Sequence, residues 1–575
     1  MWGKRFLMLG TVILTASLSF AGSPKMSNDL EGKNASDRVN VIVQYKQAPT
    51  ARHHQKVLNR GGQLKHELGL VKGGAYSLPA SALAELANDP DVAYISPDRP
   101  LSSTNNGSPT AVLDYHTDTV NAPVAWAQGL NGTGIGVAVI DSGFIDIPDL
   151  HGQKNLVVYS QNFVGGTSGN APDQYGHGGH VAGIIGGNGT NSTGSNYFYT
   201  FKGIAPNVNL INLRVLDQNG MGTDSQVIAA IQQAIQLKNT YNIRVINLSL
   251  GRPVYESYTL DPLCQAVEQA WKAGIVVVVA AGNEGRNNSA NTSGYGTITA
   301  PGNDPYVITV GAMKTMGTSN RADDQIASYS SKGPTLYDHL VKPDLVAPGN
   351  RIISLYASGL TLPKLYSGNE IPTSLYQTNG NSTASSTYYV LSGTSMAAPM
   401  VSGAAALLLQ KTPSLTPDQV KARLMKTASK TFPLYTTATD PVTSATYNSQ
   451  ADIFTVGAGY LDIQAALSNT DLAPTTAGSA LSPTVTRDAS GNVVLVNGTS
   501  VVWGTSVVWG TSVVWGTSVV WGTNVNGQSV VWGSSVCWGT STLQGYSVVW
   551  GTSVVWGTSS TPTGESENIN INGEN

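Results

Sequence analysis

The stretch Ile135–Gly143, IGVAVIDSG, runs through six small or β-branched apolar residues and then stops at Asp141. An apolar run without polar alternation is what a parallel strand covered on both faces requires, since side chains on either side meet apolar partners. Ile275–Val279 (IVVVV) repeats the pattern and is followed by AAGNEG, with Asn283 just beyond the run. Between such runs lie segments of helical period. Asp224–Lys238 gathers Val227, Ile228, Ile231, Ala234 and Ile235 on one stripe behind Thr223 or Asp224 as cap, and Asp261–Ala273 begins Asp-Pro and meets Gly274. Alternating strands and helices predict an α/β domain, a mostly parallel sheet with helices on both faces. Ligand sites in such sheets gather beyond the carboxyl ends of the strands, where Asp141 and Asn283 emerge.

Two further segments carry chemistry: GHGGHVAG around His177 and SGTSMAAPM around Ser395. A serine hydroxyl is a weak nucleophile at neutral pH and needs a base to take its proton, which it later returns to the leaving group. The base in turn needs a carboxylate to fix its tautomer and offset its transient charge. His177 and Asp141 supply those types. The negative oxygen of a tetrahedral intermediate needs preorganised donors, which an amide side chain and a backbone N–H can supply. Ser395 precedes a helix-compatible run, Met400–Leu409, with Pro399 expected in an early turn. Each piece also has a plainer reading. Asp141 alone is a common turn residue, and SGTSMAAP alone a small-residue helix start. His151, His177 and His180 raise the thought of a metal cluster, but no HExxH helix is present.

The order Asp, His, Ser is the subtilisin order of this triad. Together the four segments resemble the subtilase family of serine peptidases. NAPVAW (121–126), FKGIAPN (201–207), SYSSKGP (328–334), KPDLVAPG (342–349) and GAGYLDIQAAL (457–467) extend the likeness over roughly 115–468. The resemblance implies a subtilisin-like fold, with Asp141, His177 and Ser395 catalytic and Asn283 in the oxyanion hole. It also implies that substrate lies between two backbone segments, Ser249-Leu250-Gly251 and Ala280-Ala281-Gly282. Their small residues leave room for an apolar or aromatic side chain on the acyl side. One departure is Gly179, where the family usually has Thr; looser packing beside His177 is expected. Many subtilases bind structural calcium, but no motif fixes such a site here, and no cofactor is required.

Length and composition point to a multidomain exported chain. At 575 residues it exceeds a single hydrophobic core. Charged residues make up 12%, net charge is −3, and no basic footprint argues for nucleic acid. Two cysteines, Cys264 and Cys537, cannot build a disulfide framework and read as small hydrophobes. Residues 1–21 have the form of a signal peptide: Lys4 and Arg5, an apolar stretch from Phe6 to Leu18, then Ser19-Phe20-Ala21. A secreted or cell-surface location follows. Residues 22–110 are expected to be a propeptide. Within it 39–98 reads as strand (Val39–Tyr45), helix (Thr50–Asn59), strand (Ala75–Leu78), helix (Ser81–Asn88) and strand (Val92–Ile95). This resembles the ferredoxin-like α+β inhibitor domain of subtilases, and Leu101–Thr110 suits a cleavable linker that Ser395 itself would cut.

Residues 469–498, rich in Ala, Pro, Thr and Ser, read as a linker. From 499 to 558 the hexapeptide SVVWGT recurs, with tryptophans at 503, 509, 515, 521, 532, 538, 550 and 556, before a polar tail, 559–575. An even period keeps equivalent side chains on one face of a strand. The step of eleven from Trp521 to Trp532 breaks register unless Asn524–Gly527 turns. No charged residue occurs from Thr499 to Gly564, which favours a β-prone, stacking or assembling tract with a role in surface attachment or self-association. The functional expectation is a secreted serine endopeptidase acting on proteins or peptides, with its own propeptide as inhibitor. A scaffold without turnover and an esterase are the competing readings; the complete triad opposes the first, and the lack of a GxSxG elbow the second.

Overall fold

The computed structural model describes residues 23–102, 115–151, 155–165, 170–289, 291–440, 443–487, 493–495, 509–510, 529–530 and 574. The expected signal peptide, most of the expected cleavable linker, nearly all of the repeats and Cys537 lie outside the described residues.

The N-terminal unit folds as β1 (Arg38–Tyr45), α1 (Ala51–Leu58), β2 (Gln63–Leu68), β3 (Gly73–Pro79), α2 (Leu83–Ala87) and β4 (Val92–Pro97), its sheet ordered β2-β3-β1-β4 with antiparallel neighbours. Strand β2 escapes the sequence reading because QLKHEL carries almost no apolar pattern and only Leu68 is buried. A short strand β5 (Pro100–Ser102) follows.

The large domain is an eight-stranded sheet. Its strands are β6 (Gly136–Asp141), β7 (Val157–Asn162), β8 (Asn209–Arg214), β10 (Ile243–Leu248), β11 (Val276–Ala280), β12 (Ile308–Lys314), β13 (Gln325–Ile326) and β14 (Leu345–Pro348). The order β13-β12-β11-β10-β6-β8-β7, with β14 beside β12, is parallel except for β13. Every residue of β6, β11 and β12 is buried, as strands covered on both faces must be. From β6 the chain goes first to the edge strand β7, returns to β8 beside β6, and then crosses to β10 and on to β11 and β12, so the direction of strand addition changes at β6. Val139 stands opposite Asn247, so Asp141 and Ser249, each two residues further on, emerge side by side.

Helices α3 (Gly178–Gly186) and α6 (Thr394–Lys411) pack together against the sheet, as do α4 (Asp224–Tyr241) and α5 (Pro262–Lys272). The punctuation read in sequence has visible partners: Gln226 Oε1 accepts the Thr223 N–H at 2.9 Å, and Asp261 accepts the Leu263 N–H at 2.9 Å. Trp271 and Cys264 on α5 are buried in the core. The expected linker at 469–498 is in part an integral element. Ser482 donates to Asp344 at 2.6 Å, Ala480 N–H donates to Asp418 at 2.7 Å, and Val485–Arg487 pairs with Val493–Leu495. These buried hydrogen bonds outweigh the loop-like composition.

The N-terminal unit sits on α4 and α5. Asp98 accepts the N–H and hydroxyl of Ser225 at 2.8 and 2.7 Å, capping α4 from outside, and Arg99 pairs with Glu256 at 2.7 Å. Ile42, Leu68 and Val71 join the same apolar cluster as the large domain's core. Beneath this contact Arg252 is wholly buried between Asp224, at 2.9 Å, and Asp261, at 2.8 Å. Burial pushes the Asp224 carboxyl up to about 7 against the pull of Arg252. Replacing Arg252 by Met in a Ser395→Ala background strands two buried carboxylates. The expected loss is about 3–5 kcal/mol at pH 8 in urea unfolding, partly regained toward pH 5 because the stranded carboxylates bind protons more tightly folded than unfolded.

Candidate active site

Asp141 closes β6, and its carbonyl accepts the Val215 N–H at 2.8 Å. Side-chain Oδ1 faces the Ser142 N–H and His177 Nδ1, both at 2.7 Å. A carboxylate can only accept, so Nδ1 carries the shared proton and Nε2 is left as the basic nitrogen. Both side chains are buried, at 1% and 0% exposure, where an ionic hydrogen bond is little screened.

His177 stands at the start of α3, and Gly178 allows that close approach: a Cβ there would meet the Gly143 carbonyl oxygen at 2.3 Å. Asp173, which sequence reading missed, organises the turn. Its carboxylate accepts the N–H of Tyr175 (3.0 Å), Gly176 (2.8 Å) and Gly179 (2.8 Å) and the Ser142 hydroxyl (2.9 Å). Burial raises the Asp173 carboxyl, and these hydrogen bonds pull against it; the net shift is upward. No periodicity or motif marks such a residue, because its partners are backbone groups. The looser packing expected at Gly179 does not occur: a Cβ would meet Ile145 Cγ1 at 3.1 Å and Asp173 Oδ2 at 3.3 Å.

His180 and His151 take no part in a cluster with His177. Nε2 of His180 faces the carbonyls of Ile352 and Tyr389, each at 3.1 Å, while burial and the neighbouring His177 lower its pKa to about 3. His151 pairs instead with Asp146 at 2.6 Å. Among the described residues, no group of three or more His, Cys, Asp or Glu converges as a metal site.

Ser395 lies within the first turn of α6, which begins at Thr394 and so earlier than the Met400–Leu409 run suggested. Backbone N–H groups of a first turn have no partner inside the helix, and the positive end of the dipole is there. Pro399 is an interior residue of α6, not a first-turn one. Its missing N–H is the one that would have bonded the Ser395 carbonyl, four residues back. Ser249 fills the gap: its hydroxyl donates to the Ser395 carbonyl at 2.9 Å, and the Ser395 hydroxyl donates to the Ser249 carbonyl at 3.0 Å. Asn283 is fixed by Oδ1, which accepts the N–H and hydroxyl of Thr394 at 2.9 and 3.0 Å, so its donor end points the other way.

The two predicted substrate segments flank one connection. Thr299 N–H donates to the Ala281 carbonyl at 3.0 Å, and the next residue, Ala300, exchanges hydrogen bonds with Arg252, which follows Gly251. Leu250, Ala280 and Ala281 are buried, and Gly282 N–H donates to Thr394 Oγ1 at 3.1 Å. A third edge was missed. Strand β9 (Met221–Thr223) pairs antiparallel with β5, Leu101 opposite Gly222. At 3 residues β9 is too short to show in sequence.

A profile described as the Subtilase family matches residues 132–459. The chain belongs to that family. Serine protease AprX of Bacillus subtilis is 38% identical over 327 residues, which span 56% of this subtilase and 67% of AprX. Subtilisin E of Bacillus subtilis is 34% identical over 423 residues, 73% of this chain and 91% of subtilisin E. Among solved structures, fervidolysin of Fervidobacterium pennivorans superposes with a TM-score of 0.57 at 23% identity, covering 81% of this chain and 66% of that one. At that identity the match bears on fold alone, and the fold is subtilisin-like. The subtilase is a serine-type endopeptidase with peptides as substrates. Among the described residues no helix is long and apolar enough to cross a membrane.

Changing Ser249 to Ala removes the hydroxyl that donates to the Ser395 carbonyl beneath Pro399. The expected cost is about 1–3 kcal/mol of stability, read by urea unfolding in a Ser395→Ala background, with turnover also reduced in the active enzyme; an unchanged midpoint would show that another donor takes over.

Proposed function

We propose that Ser395, His177 and Asp141 are the catalytic triad of this endopeptidase. The carrying observation is the dry 2.7 Å contact between Asp141 and His177 beside the strand end that holds Ser249 and, through it, Ser395. His177 Nε2 takes the Ser395 proton as Oγ adds to the scissile carbonyl, and Asp141 keeps the imidazole in the one tautomer that can do so. The tetrahedral oxygen is held by the Asn283 amide and the Ser395 N–H. Collapse releases the amine, protonated by His177, and leaves an acyl-enzyme that water hydrolyses by the same steps in reverse. Side chains and backbone suffice for this route, which asks for no cofactor. Substrate backbone pairs along Ser249–Gly251 and Ala280–Gly282, with an apolar or aromatic acyl-side residue accommodated beside the small residues.

The N-terminal unit acts as an intramolecular inhibitor. Pairing of β5 with β9 supports this, since it lays the start of the cleavable linker, Leu101 and Ser102, along a strand edge of the large domain. The Asp98 cap and the Arg99–Glu256 pair hold the unit against α4 and α5. Export through the signal peptide and self-cleavage between 100 and 115 then release active enzyme outside the cell. Surface attachment or self-association falls to the repeats.

Ser395→Ala and His177→Ala are expected to lower turnover on a protein substrate by about 10⁶, and Asp141→Ala by about 10⁴. A fluorophosphonate should label wild type at Ser395 and spare the Ser395→Ala protein. Purified Ser395→Ala precursor should stay uncut between 100 and 115 by mass spectrometry; processing at the wild-type rate with no other protease present would refute self-cleavage.

A further inference from the structure

Behind the loops that carry Asn283 and Ser395, the large domain has a pocket for one acidic residue, and Glu574 fills it. The side chain is almost wholly buried, at 2% exposure. Oε1 accepts from Arg286 Nη2 at 2.8 Å, from the Ser328 N–H at 2.9 Å and from the Ser328 hydroxyl. Lys314 Nζ lies 3.3 Å from Oε2, an ion pair without the alignment of a hydrogen bond. The backbone is read as well: Asn350 Oδ1 accepts the Glu574 N–H at 2.8 Å, and Asn350 Nδ2 donates to the Glu574 carbonyl at 3.0 Å. Burial raises the Glu574 carboxyl, and Lys314, Arg286 and Ser328 outweigh it, so the net shift is downward.

Two features make this a receptor rather than a chance contact. Both cations are themselves buried, Arg286 at 8% and Lys314 at 2% exposure, so a neutral occupant would leave cationic charge out of water with one carboxylate fewer. Composition matches: beyond residue 499 the only charged residues are Glu565, Glu567 and Glu574, all acidic. The walls belong to the catalytic framework. Arg286 lies three residues past Asn283, and Asn350 follows Gly349, whose carbonyl accepts the Gly393 N–H at 2.8 Å.

We propose that Glu574 is a cis-acting anchor: Arg286, Lys314, Ser328 and Asn350 form a receptor for one acidic residue, and its occupation ties the polar tail at Glu574 back onto the peptidase domain of the same chain. At the near end, Val493–Leu495 is already paired with Val485–Arg487. Residues on either side of the repeats, Val485–Arg487 and Val493–Leu495 before them and Glu574 after them, thus carry contacts of their own.

Carboxyl footprinting with a carbodiimide and glycine ethyl ester on the full-length Ser395→Ala protein tests this. Glu574 should label at least roughly tenfold more slowly in native protein than in urea, the protection expected when several buried hydrogen bonds must open first. Asn350→Ala, which removes only the two backbone contacts, should raise Glu574 labelling roughly tenfold while buried Asp344 stays protected, the sign that the variant is folded. Equal native and urea rates at Glu574 in the parent protein would overturn the receptor. Protection that fades on dilution would place Glu574 in the pocket of a second copy and overturn the cis-acting anchor.

Discussion

The hydrogen bond between Asp141 and His177 depends on where the sheet changes direction. Strand β6 has later strands, β8 and β10, on its two sides, so the crevice past its end is flanked by loops that need not cover one another. One loop carries His177, held by Asp173 and Ser142; the other carries Ser249, which grips the first turn of α6 at Ser395. Moving β6 by one residue would turn Asp141 to the opposite face. Full burial of the strand forbids that slip, since apolar side chains on both faces are fitted to neighbours.

Much of this architecture was legible because it rests on local rules. Buried strands read as unbroken apolar runs, α5 was bounded by Asp261-Pro262 and Gly274, and four motifs in one order pointed to one site. What stayed hidden was held by contacts between residues far apart in sequence. Asp173 gathers backbone N–H groups, so no pattern of side chains announces it. The start of α6 was misjudged because Pro399 reads as a helix beginner, whereas the deficit it creates inside the helix is met by Ser249, 146 residues before Ser395. Residues 473–487 look like a linker by composition and are fixed by Asp418, Lys421 and Asp344.

The N-terminal unit and the large domain are joined by charges that neither could bury alone. Arg99 is shared by Asp29 of its own unit and Glu256 of the other, while Tyr94 donates to Glu256 at 2.6 Å. Removing the unit would return Glu256 to water and open the core-facing side of Ile42, Leu68 and Val71, which favours a tight contact between the two.

Holding Glu574 on the domain that also holds Val493–Leu495 changes what repeat number means. The entropy of closing a flexible segment grows only with the logarithm of its length, about 0.6 kcal/mol for each doubling. Hexapeptides gained or lost in the gene would then change only the number of residues between two fixed points, at little cost to the clasp.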